Sequence, residues 1–421
     1  MKNWFLIPLV ILLAGVLVFA GCSQSPSTQT QSATTQAQTT ATQAQTTTTL
    51  AQVVKTETLK IGVIVGLTGP GSQMYLEQRD VSNLAQDWIN GNGGITVNGT
   101  NYKIQCIYED NKGTAADSIT AATRLISQEG VKFIVGGAVP DQVNAIASVT
   151  EKNKVLYETG QTDKMDPAKP LFFAANYSFI SPLTPLYDTM KQLYPNIKNA
   201  GFIIEDESGA RAAGDFSQQA AKDHGLTLLE PQMHPWESTE FAPQWTKLMS
   251  LKPDAVDIGI KMPNSSAAAV KQGREAGFTG PMIATTSADP GMMLNMIGKA
   301  YSTDFIWPSF DVYGPAATPM VKTIVGLWSK DHSGPVSADG MNGWDQLWIL
   351  TQAIEKAQSL DPATVAKSWQ NMSTGETSRG TAKMGGAKTF GINSMVFRPC
   401  PISRLQNGQV EFLKWVDTWA P

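Results

Sequence analysis

Histidine is scarce in this 421-residue sequence, and its placement excludes the familiar zinc sites. His224 and His234 stand ten residues apart without a neighbouring cysteine, and His332 lies in a polar stretch. Zinc sites need closely spaced nitrogen and sulfur ligands, which these positions do not supply. No nucleophile with a neighbouring base is visible either. We therefore expect no metal, no cofactor and no enzymatic activity.

A dominant charge is also missing. The chain has 32 basic and 36 acidic residues, with a net charge of −4, and the two signs are interspersed. Nucleic-acid binding is not expected, since it requires a basic surface. The acidic run from Glu205 to Glu207 is more typical of a solvated loop than of a cation site, because hard cations draw spaced ligands. Arg211 either reaches a binding cleft or pairs with this run.

Cysteine occurs three times, at positions 22, 106 and 400. Cys106 lies in an alternating stretch, Tyr102 to Tyr108, that is typical of a strand with a buried thiol. Export from the cytoplasm would also permit a Cys106–Cys400 disulfide. Spacing in the sequence does not decide between these alternatives, because a bridge depends on the Cα separation.

One long uncharged apolar run is present, from Trp4 to Ala20. It follows Met1-Lys2-Asn3 and precedes Gly21-Cys22, which predicts a signal peptide over residues 1–21. A permanent membrane span is the alternative. The run is shorter than the ~20 apolar residues of a span, and no basic stop-transfer cluster follows it.

The next segment, residues 22–56, is predicted to be a flexible linker. From Ser23 to Val54 it consists mainly of Ser, Thr, Gln and Ala, without an aromatic residue and without charge before Lys55. Such a composition cannot bury enough apolar surface to fold.

The remainder alternates between short apolar strands and amphipathic helices, a pattern that predicts mostly parallel sheets covered on both faces. A first series of predicted elements comprises strand 60–65, a helix through Val81, Leu84, Ala85, Trp88 and Ile89, strand 102–109, helix 115–128, strand 132–135, helix 141–153 and strand 155–157. A second series comprises strand 201–204, helix 214–224, strand 226–229, helix 242–251, strand 255–260, helix 266–276 and strand 282–284. The predicted fold class is α/β with two doubly wound lobes, and ligands of such sheets bind beyond the carboxyl ends of the strands.

Several motifs occur in a specific order along the chain: Ile61–Gly71, Asp87–Ile95, Tyr108–Asn111, Phe241–Val256, Gly273–Phe278 and Asn407-Gly408. Together they resemble the type I periplasmic-binding-protein family, in particular the branched-chain amino acid-binding group of ABC importers. Phe19-Ala20-Gly21-Cys22 resembles a bacterial lipobox, with Phe19 in place of the usual Leu. That resemblance implies acylation of Cys22 and anchoring on the extracytoplasmic face of the cell membrane.

The family resemblance implies a hinge that the chain crosses three times. We place the crossings near Ala175–Phe179, Trp307–Phe310 and Phe397–Arg404. Lobe 1 is then residues 57–176 plus 309–398, and lobe 2 is residues 177–308 plus 399–421.

Amino acid-binding members hold the ligand carboxylate with a hydroxyl and backbone amides of the first lobe, and the ammonium with a second-lobe acid. Here the loop Gly136–Asp141 has no hydroxyl, and the loop Thr285–Ala288 has no acid. Lys261 follows a strand and favours an anionic ligand, although a solvated rim charge is an alternative reading. The predicted ligand contacts are Tyr75, Ala138, Val139, Gly160, Gln161, Thr162, Tyr177, Lys261, Met262, Ser287 and Trp307.

Tyr75 and Trp307 are expected to supply an apolar pocket wall, whereas Phe310 is better explained as a core residue. The resemblance implies a monomeric binding subunit that captures a small molecule and docks on ABC permease subunits. The residues favour a carboxylate or aromatic acid over a standard amino acid. The alternative is a tethered sensor that signals to a membrane partner.

Overall fold

The computed structural model describes residues 55–69, 72–137, 139–160, 162, 165–175, 181–206, 208–235, 238–259, 262–286 and 288–418. Val53–Pro421 forms one compact unit. The predicted signal peptide, Cys22 and the linker up to residue 54 lie outside the described residues. Within the described ranges, no helix has the length and apolarity needed to cross a membrane.

The described part of the chain contains seventeen strands. They are β1 Thr56–Val65, β2 Ile95–Val97, β3 Thr100–Asp110, β4 Phe133–Gly136, β5 Leu156–Thr159, β6 Phe172–Ala174, β7 Asn199–Glu205, β8 Thr227–Leu228, β9 Gln232–His234, β10 Ala255–Gly259, β11 Met282–Ala284, β12 Phe305–Trp307, β13 Thr374–Thr377, β14 Gly380–Gly385, β15 Met395–Phe397, β16 Cys400–Gln406 and β17 Gln409–Val416.

The same residues form twelve α-helices and a short 3₁₀ turn at Lys299–Tyr301. The helices are α1 Ser72–Gly91, α2 Ala115–Ser127, α3 Pro140–Lys152, α4 Leu183–Leu193, α5 Ser208–Asp223, α6 Ala242–Leu251, α7 Pro263–Glu275, α8 Pro290–Ile297, α9 Pro319–Asp331, α10 Met341–Ala357, α11 Pro362–Gln370 and α12 Ala387–Phe390. Several begin with proline, whose fixed φ suits the first helical position. Thr318 and Asp361 cap α9 and α11 by accepting hydrogen bonds from backbone N–H groups of the first turn.

The strands form two sheets, and both are mainly parallel, which confirms the predicted α/β class. The first sheet has nine strands in the order β13-β14-β15-β6-β5-β4-β1-β3-β2. The second has eight, in the order β17-β16-β12-β11-β10-β7-β8, with β9 beside β7. Antiparallel pairs occur at β2–β3, β13–β14–β15 and β12–β16–β17.

The chain passes between the two sheets three times. It leaves the first sheet after β6, returns after β12, and crosses again from β15 to β16. The third passage is only Arg398-Pro399. The predicted boundaries of the lobes, at residues 176, 308 and 398, stay a prediction.

Three apolar clusters fill the interior. One cluster packs α1, α9 and α10 on the first sheet. It contains Phe310, which is fully buried, in agreement with the interpretation of Phe310 as a core residue. Another lies in the second sheet and includes Trp245 and Phe305. The third contains side chains from both sheets, among them Phe202 and Phe397, so the sheets share a core.

Cys106 and Cys400 are both free thiols. Cys106 is on β3, opposite Ile61 of β1, and Cys400 begins β16. Burial raises the pKa of each thiol to about 12. The disulfide alternative is therefore wrong: Cys400 is a buried thiol and Cys106 a half-buried one.

Candidate functional site

The carboxyl ends of the parallel strands meet at one edge of the first sheet. The register places Val65 beside Asp110, Ile64 beside Gly136, and Thr159 beside Ala174. The loops that follow these strands therefore line the edge where ligands of α/β sheets bind. Most of the predicted first-lobe contacts lie in these loops.

The loop between β4 and α3 is held in a tight conformation by two glycines. Gly136 and Gly137 have φ values of +118° and +76°, a region that other residues rarely adopt. A Cβ at Gly136 would overlap the carbonyl oxygen of Ile64, and one at Gly137 would lie 2.6 Å from the hydroxyl of Tyr157. That hydroxyl donates a hydrogen bond to the Gly136 carbonyl at 2.8 Å, which fixes the loop against the end of β4.

Helix α3 points its amino terminus at this loop. Its capping residue, Val139, is exposed and provides no side-chain hydrogen bond to the helix. The first backbone N–H groups of a helix lack partners within the helix, and its dipole places partial positive charge there. A carboxylate is the chemical group that this arrangement favours. Ala138, predicted beside Val139, lies outside the described residues.

The loop after β1 is tied to the end of β3 by one carboxylate. Asp110 accepts hydrogen bonds from the backbone N–H of Leu67 at 2.9 Å and of Lys112 at 2.8 Å, and from the Thr68 hydroxyl at 2.6 Å. Burial opposes the charge on Asp110, but these hydrogen bonds together lower its pKa.

Tyr75 lies over this loop, and its contact with a ligand stays a prediction. A Cβ at Gly66 would be 3.0 Å from the Tyr75 ring, and the side chain is 8% exposed. Burial raises the pKa of Tyr75, and the negative charge of Asp339 raises it further. The ring is therefore placed between the β1 loop and the segment that precedes α10.

The loop after β5 is covered by a residue that the sequence did not reveal. A Cβ at Gly160 would overlap the side-chain amide of Gln346, which is on α10 and is 7% exposed. Gln346 therefore lies against one of the predicted ligand contacts. Thr162 is half-buried nearby in the chain, and Gln161 and Tyr177 lie outside the described residues.

A buried acid lies below the corresponding edge of the second sheet. Asp257 of β10 is 3% exposed and accepts hydrogen bonds from the hydroxyls of Ser217 and, at 3.1 Å, Tyr187. Its Oδ1 has no partner among the described residues. Burial raises the pKa of Asp257 to about 6.

A small cavity adjoins this carboxylate. Its volume, counted as the space open to the centre of a water molecule, is about 10 Å³. That is enough for one water. Its lining includes Asp257, Ser217, Gly259 and Thr285. Gly259 ends β10 and Thr285 follows β11, so the cavity lies beneath the carboxyl edge of the second sheet.

Trp307 is one of the predicted ligand contacts of the second lobe, and the prediction that it forms a pocket wall is wrong. Its ring is 0% exposed and stacks on Phe305 with centroids 5.0 Å apart. Its indole N–H donates to the Ala288 carbonyl at 3.0 Å. Trp307 is thus a core residue of the second sheet, because β12 is covered on both faces. Met262 is 37% exposed, and Lys261 and Ser287 lie outside the described residues.

The third passage between the sheets contains a buried ionic cluster. Arg398 pairs with Asp345 of α10 and donates to the Asn342 side chain at 2.8 Å. Asp345 also accepts a hydrogen bond from the Ser378 hydroxyl at 2.9 Å. Burial raises the pKa of Glu158 well above its usual range, against the opposing influence of Arg398.

Arg211 lies close to the acidic residue that follows β7. Asp206 forms an ion pair with Arg211, so this arginine pairs with the acidic run as one alternative held. In the described ranges, no group of three histidine, cysteine or acidic residues is arranged to hold a metal ion.

The profile of one protein family, described as periplasmic binding protein, matches residues 58–403. The chain belongs to the periplasmic binding protein family. The match includes all three passages between the sheets and most of their strands, and it ends within β16, before β17. The fold predicted from the sequence motifs is therefore confirmed.

Solved structures of similar proteins extend over most of this periplasmic binding protein. A leucine-binding protein from Thermotoga maritima is 20% identical, with a TM-score of 0.68, and the match covers 85% of this chain and 98% of the other. An amino acid ABC transporter substrate-binding protein from Pseudomonas fluorescens is 16% identical, with a TM-score of 0.73 and coverage of 87% and 97%. A solute-binding protein of an ABC transporter from Rhodopseudomonas palustris, in complex with 3,4-dihydroxybenzoic acid, is 19% identical, with a TM-score of 0.68 and coverage of 86% and 98%. At these identities the likeness establishes the fold.

Proposed function

We propose that this protein is the extracytoplasmic substrate-binding subunit of an ABC importer. It is tethered to the membrane through Cys22, acts as a monomer, and presents a captured small molecule to permease subunits. The observation that supports this function best is the pair of parallel sheets joined by three chain passages within a periplasmic-binding-protein fold. Such a construction allows two lobes to close on a ligand.

We further propose that the ligand is a small carboxylate, aliphatic or aromatic, rather than a zwitterionic amino acid. The amino terminus of α3 and the glycine loop before it favour an anion. The loop Thr285–Ala288 offers no acid to an ammonium group. One of the similar proteins binds 3,4-dihydroxybenzoic acid, and the same ligand class suits the chemistry of this edge.

The experiment is a thermal-unfolding screen of the full chain in detergent, with carboxylates, amino acids and amides as candidate ligands. A ligand that binds only the folded state raises the melting temperature in a concentration-dependent way. We expect stabilisation by benzoate or 3,4-dihydroxybenzoate and none by leucine or valine. Stabilisation by leucine or valine, with none by simple acids, would show that the ligand class is wrong while leaving the binding function in place.

A further inference from the structure

Arg379 has an unusual environment for a cation. It lies in the two-residue turn between β13 and β14, and its Nη2 donates to the Ala338 carbonyl at 3.2 Å. Its Nε is buried without a hydrogen-bond partner among the described residues. In the described part of the chain no carboxylate forms an ion pair with it. The side chain as a whole is half-buried. A buried N–H group without a partner is costly unless an anion binds it.

The neighbouring charges do not neutralise this guanidinium by direct contact. The charge of Asp345 acts on Arg379, but this carboxylate is engaged by Arg398 and Ser378. Asp339 acts on Arg379 through its charge. Burial and the repulsion of Arg398 lower the pKa of Arg379 to about 10, so it is still a cation at neutral pH.

The turn lies at the ligand edge of the first sheet. β14 runs antiparallel to β15 with Lys383 opposite Phe397, so Gly380 and the turn before it extend beyond the carboxyl end of β15. On one side, the charge of Asp339 acts on both Arg379 and Tyr75. On the other side, Asp345 precedes Gln346, which lies against Gly160. Arg379 is therefore flanked by residues that reach the β1 loop and the β5 loop.

We propose that Arg379 binds the carboxylate of the captured ligand. This inference rests on the proposed function and names the residue that recognises the anionic ligand class. A guanidinium donates hydrogen bonds to a carboxylate in a matching planar geometry, and charge-assisted hydrogen bonds of this kind are short and strong. Three chain segments remote in sequence then contact one ligand: the β13–β14 turn, the β1 loop and the β5 loop.

The test measures binding by isothermal titration calorimetry on the full chain, with two pairs of compounds that match in shape and differ in charge: benzoate and benzamide, and isovalerate and isovaleramide. The variants are R379Q, R379K and the control R404Q, since Arg404 pairs with Glu411 away from the cluster. We expect R379Q to weaken carboxylate binding by ~10- to 100-fold, with no effect on amides and a smaller loss in R379K. Without ligand, R379Q should melt no lower than the unmodified protein, because it removes an unpaired cation. A lower melting temperature without ligand would instead indicate a structural role for Arg379.

Three outcomes separate this inference from the proposed function. Equal carboxylate affinity in R379Q and the unmodified protein overturns the role of Arg379 and leaves the function intact. Binding of amides or amino acids alone overturns the anion inference but retains solute capture. If none of these compounds binds, the proposed ligand class is wrong. The role of Arg379 is then tested by measuring how much sodium formate raises the melting temperature. Formate that stabilises R379Q as much as the unmodified protein rejects an anion site at Arg379.

Discussion

Arg398 and Asp345 form an ion pair that joins the third passage between the sheets to helix α10, and their side chains are 3% and 0% exposed. Breaking a buried pair by removing one partner leaves an uncompensated charge, which costs about 3–5 kcal/mol. We expect R398M to lower the free energy of unfolding by that amount in urea denaturation. The matched control is R404M, which removes the arginine of the more exposed Arg404–Glu411 pair and should cost about 1 kcal/mol or less. Equal effects of the two changes would contradict a special role for the buried pair.

Asp257 predicts a specific pH dependence. Its pKa in the folded protein, about 6, is higher than its ordinary value of 3.8. Between these values the folded protein retains a proton that the unfolded chain has lost, so stability falls as the pH rises through this window. The total contribution is about 3 kcal/mol for a difference of roughly two pH units.

The variant D257N should lose this pH dependence. We expect the difference in unfolding free energy between D257N and the unmodified protein to grow in favour of D257N from about pH 4 to pH 6, and to level off above it. Urea denaturation at several pH values measures the difference. D206N is the control, since Asp206 is half exposed and pairs with Arg211, and it should leave the slope in place. An unchanged slope in D257N would contradict the raised pKa.

Substitution of two glycines at the ligand edge by alanine should change the stability of the protein by very different amounts. G136A places a Cβ against the backbone carbonyl of Ile64 at a φ of +118°, and we expect a loss of at least about 2 kcal/mol. G160A meets only the end of the Gln346 side chain, which can move, so the expected loss is below about 1 kcal/mol. Melting temperatures measure both changes, and a G160A protein as unstable as G136A would refute the distinction.

The pair Gly160 and Gln346 also gives a prediction about binding. If Gln346 helps to shape the ligand loop, G160A and Q346A should each lower ligand affinity, and the double variant should lose less than the sum. The measurement is the dissociation constant of whichever carboxylate stabilises the unmodified protein. Additive losses would show that the two residues act independently.

The proposed lipid anchor is tested at Cys22. We expect C22A to move the protein from the detergent-rich phase to the aqueous phase in a detergent partition experiment, because acyl chains supply the membrane affinity. C106A is the control, since Cys106 is a half-buried thiol of β3. Equal partition of C22A and the unmodified protein would refute anchoring through Cys22.

The sequence predicts the first two-thirds of the fold well. Alternating apolar strands and amphipathic helices locate β1, β3 to β5 and α1 to α3, with ends displaced by a few residues. In the second sheet they locate β7, β8, β10 and β11, which are four of its eight strands. The short strands β2, β6 and β9 are not predicted. Glycine-rich loops such as Gly136-Gly137 are recognisable because only glycine suits them. Membership of the family supplies the rest of the architecture.

The part after β12 is harder to predict because polarity there does not indicate exposure. In α10, Asn342, Asp345 and Gln346 are all buried, since they face the edge of the first sheet and the passage to β16. Helical periodicity cannot identify such residues. Asp257 had a visible signal, an acid within an apolar strand, whereas the surroundings of Arg379 depend on contacts between segments far apart in sequence.

The short connection between β15 and β16 limits how the two sheets can move. From Phe397 to Cys400 there are three Cα–Cα steps, at most roughly 11 Å when fully extended. Proline fixes one backbone angle of this connection, and the Arg398 side chain is held by α10. The sheets therefore cannot slide apart at this point. Any opening of the protein must be a rotation of one sheet relative to the other, about a hinge axis that runs close to residues 398 and 399.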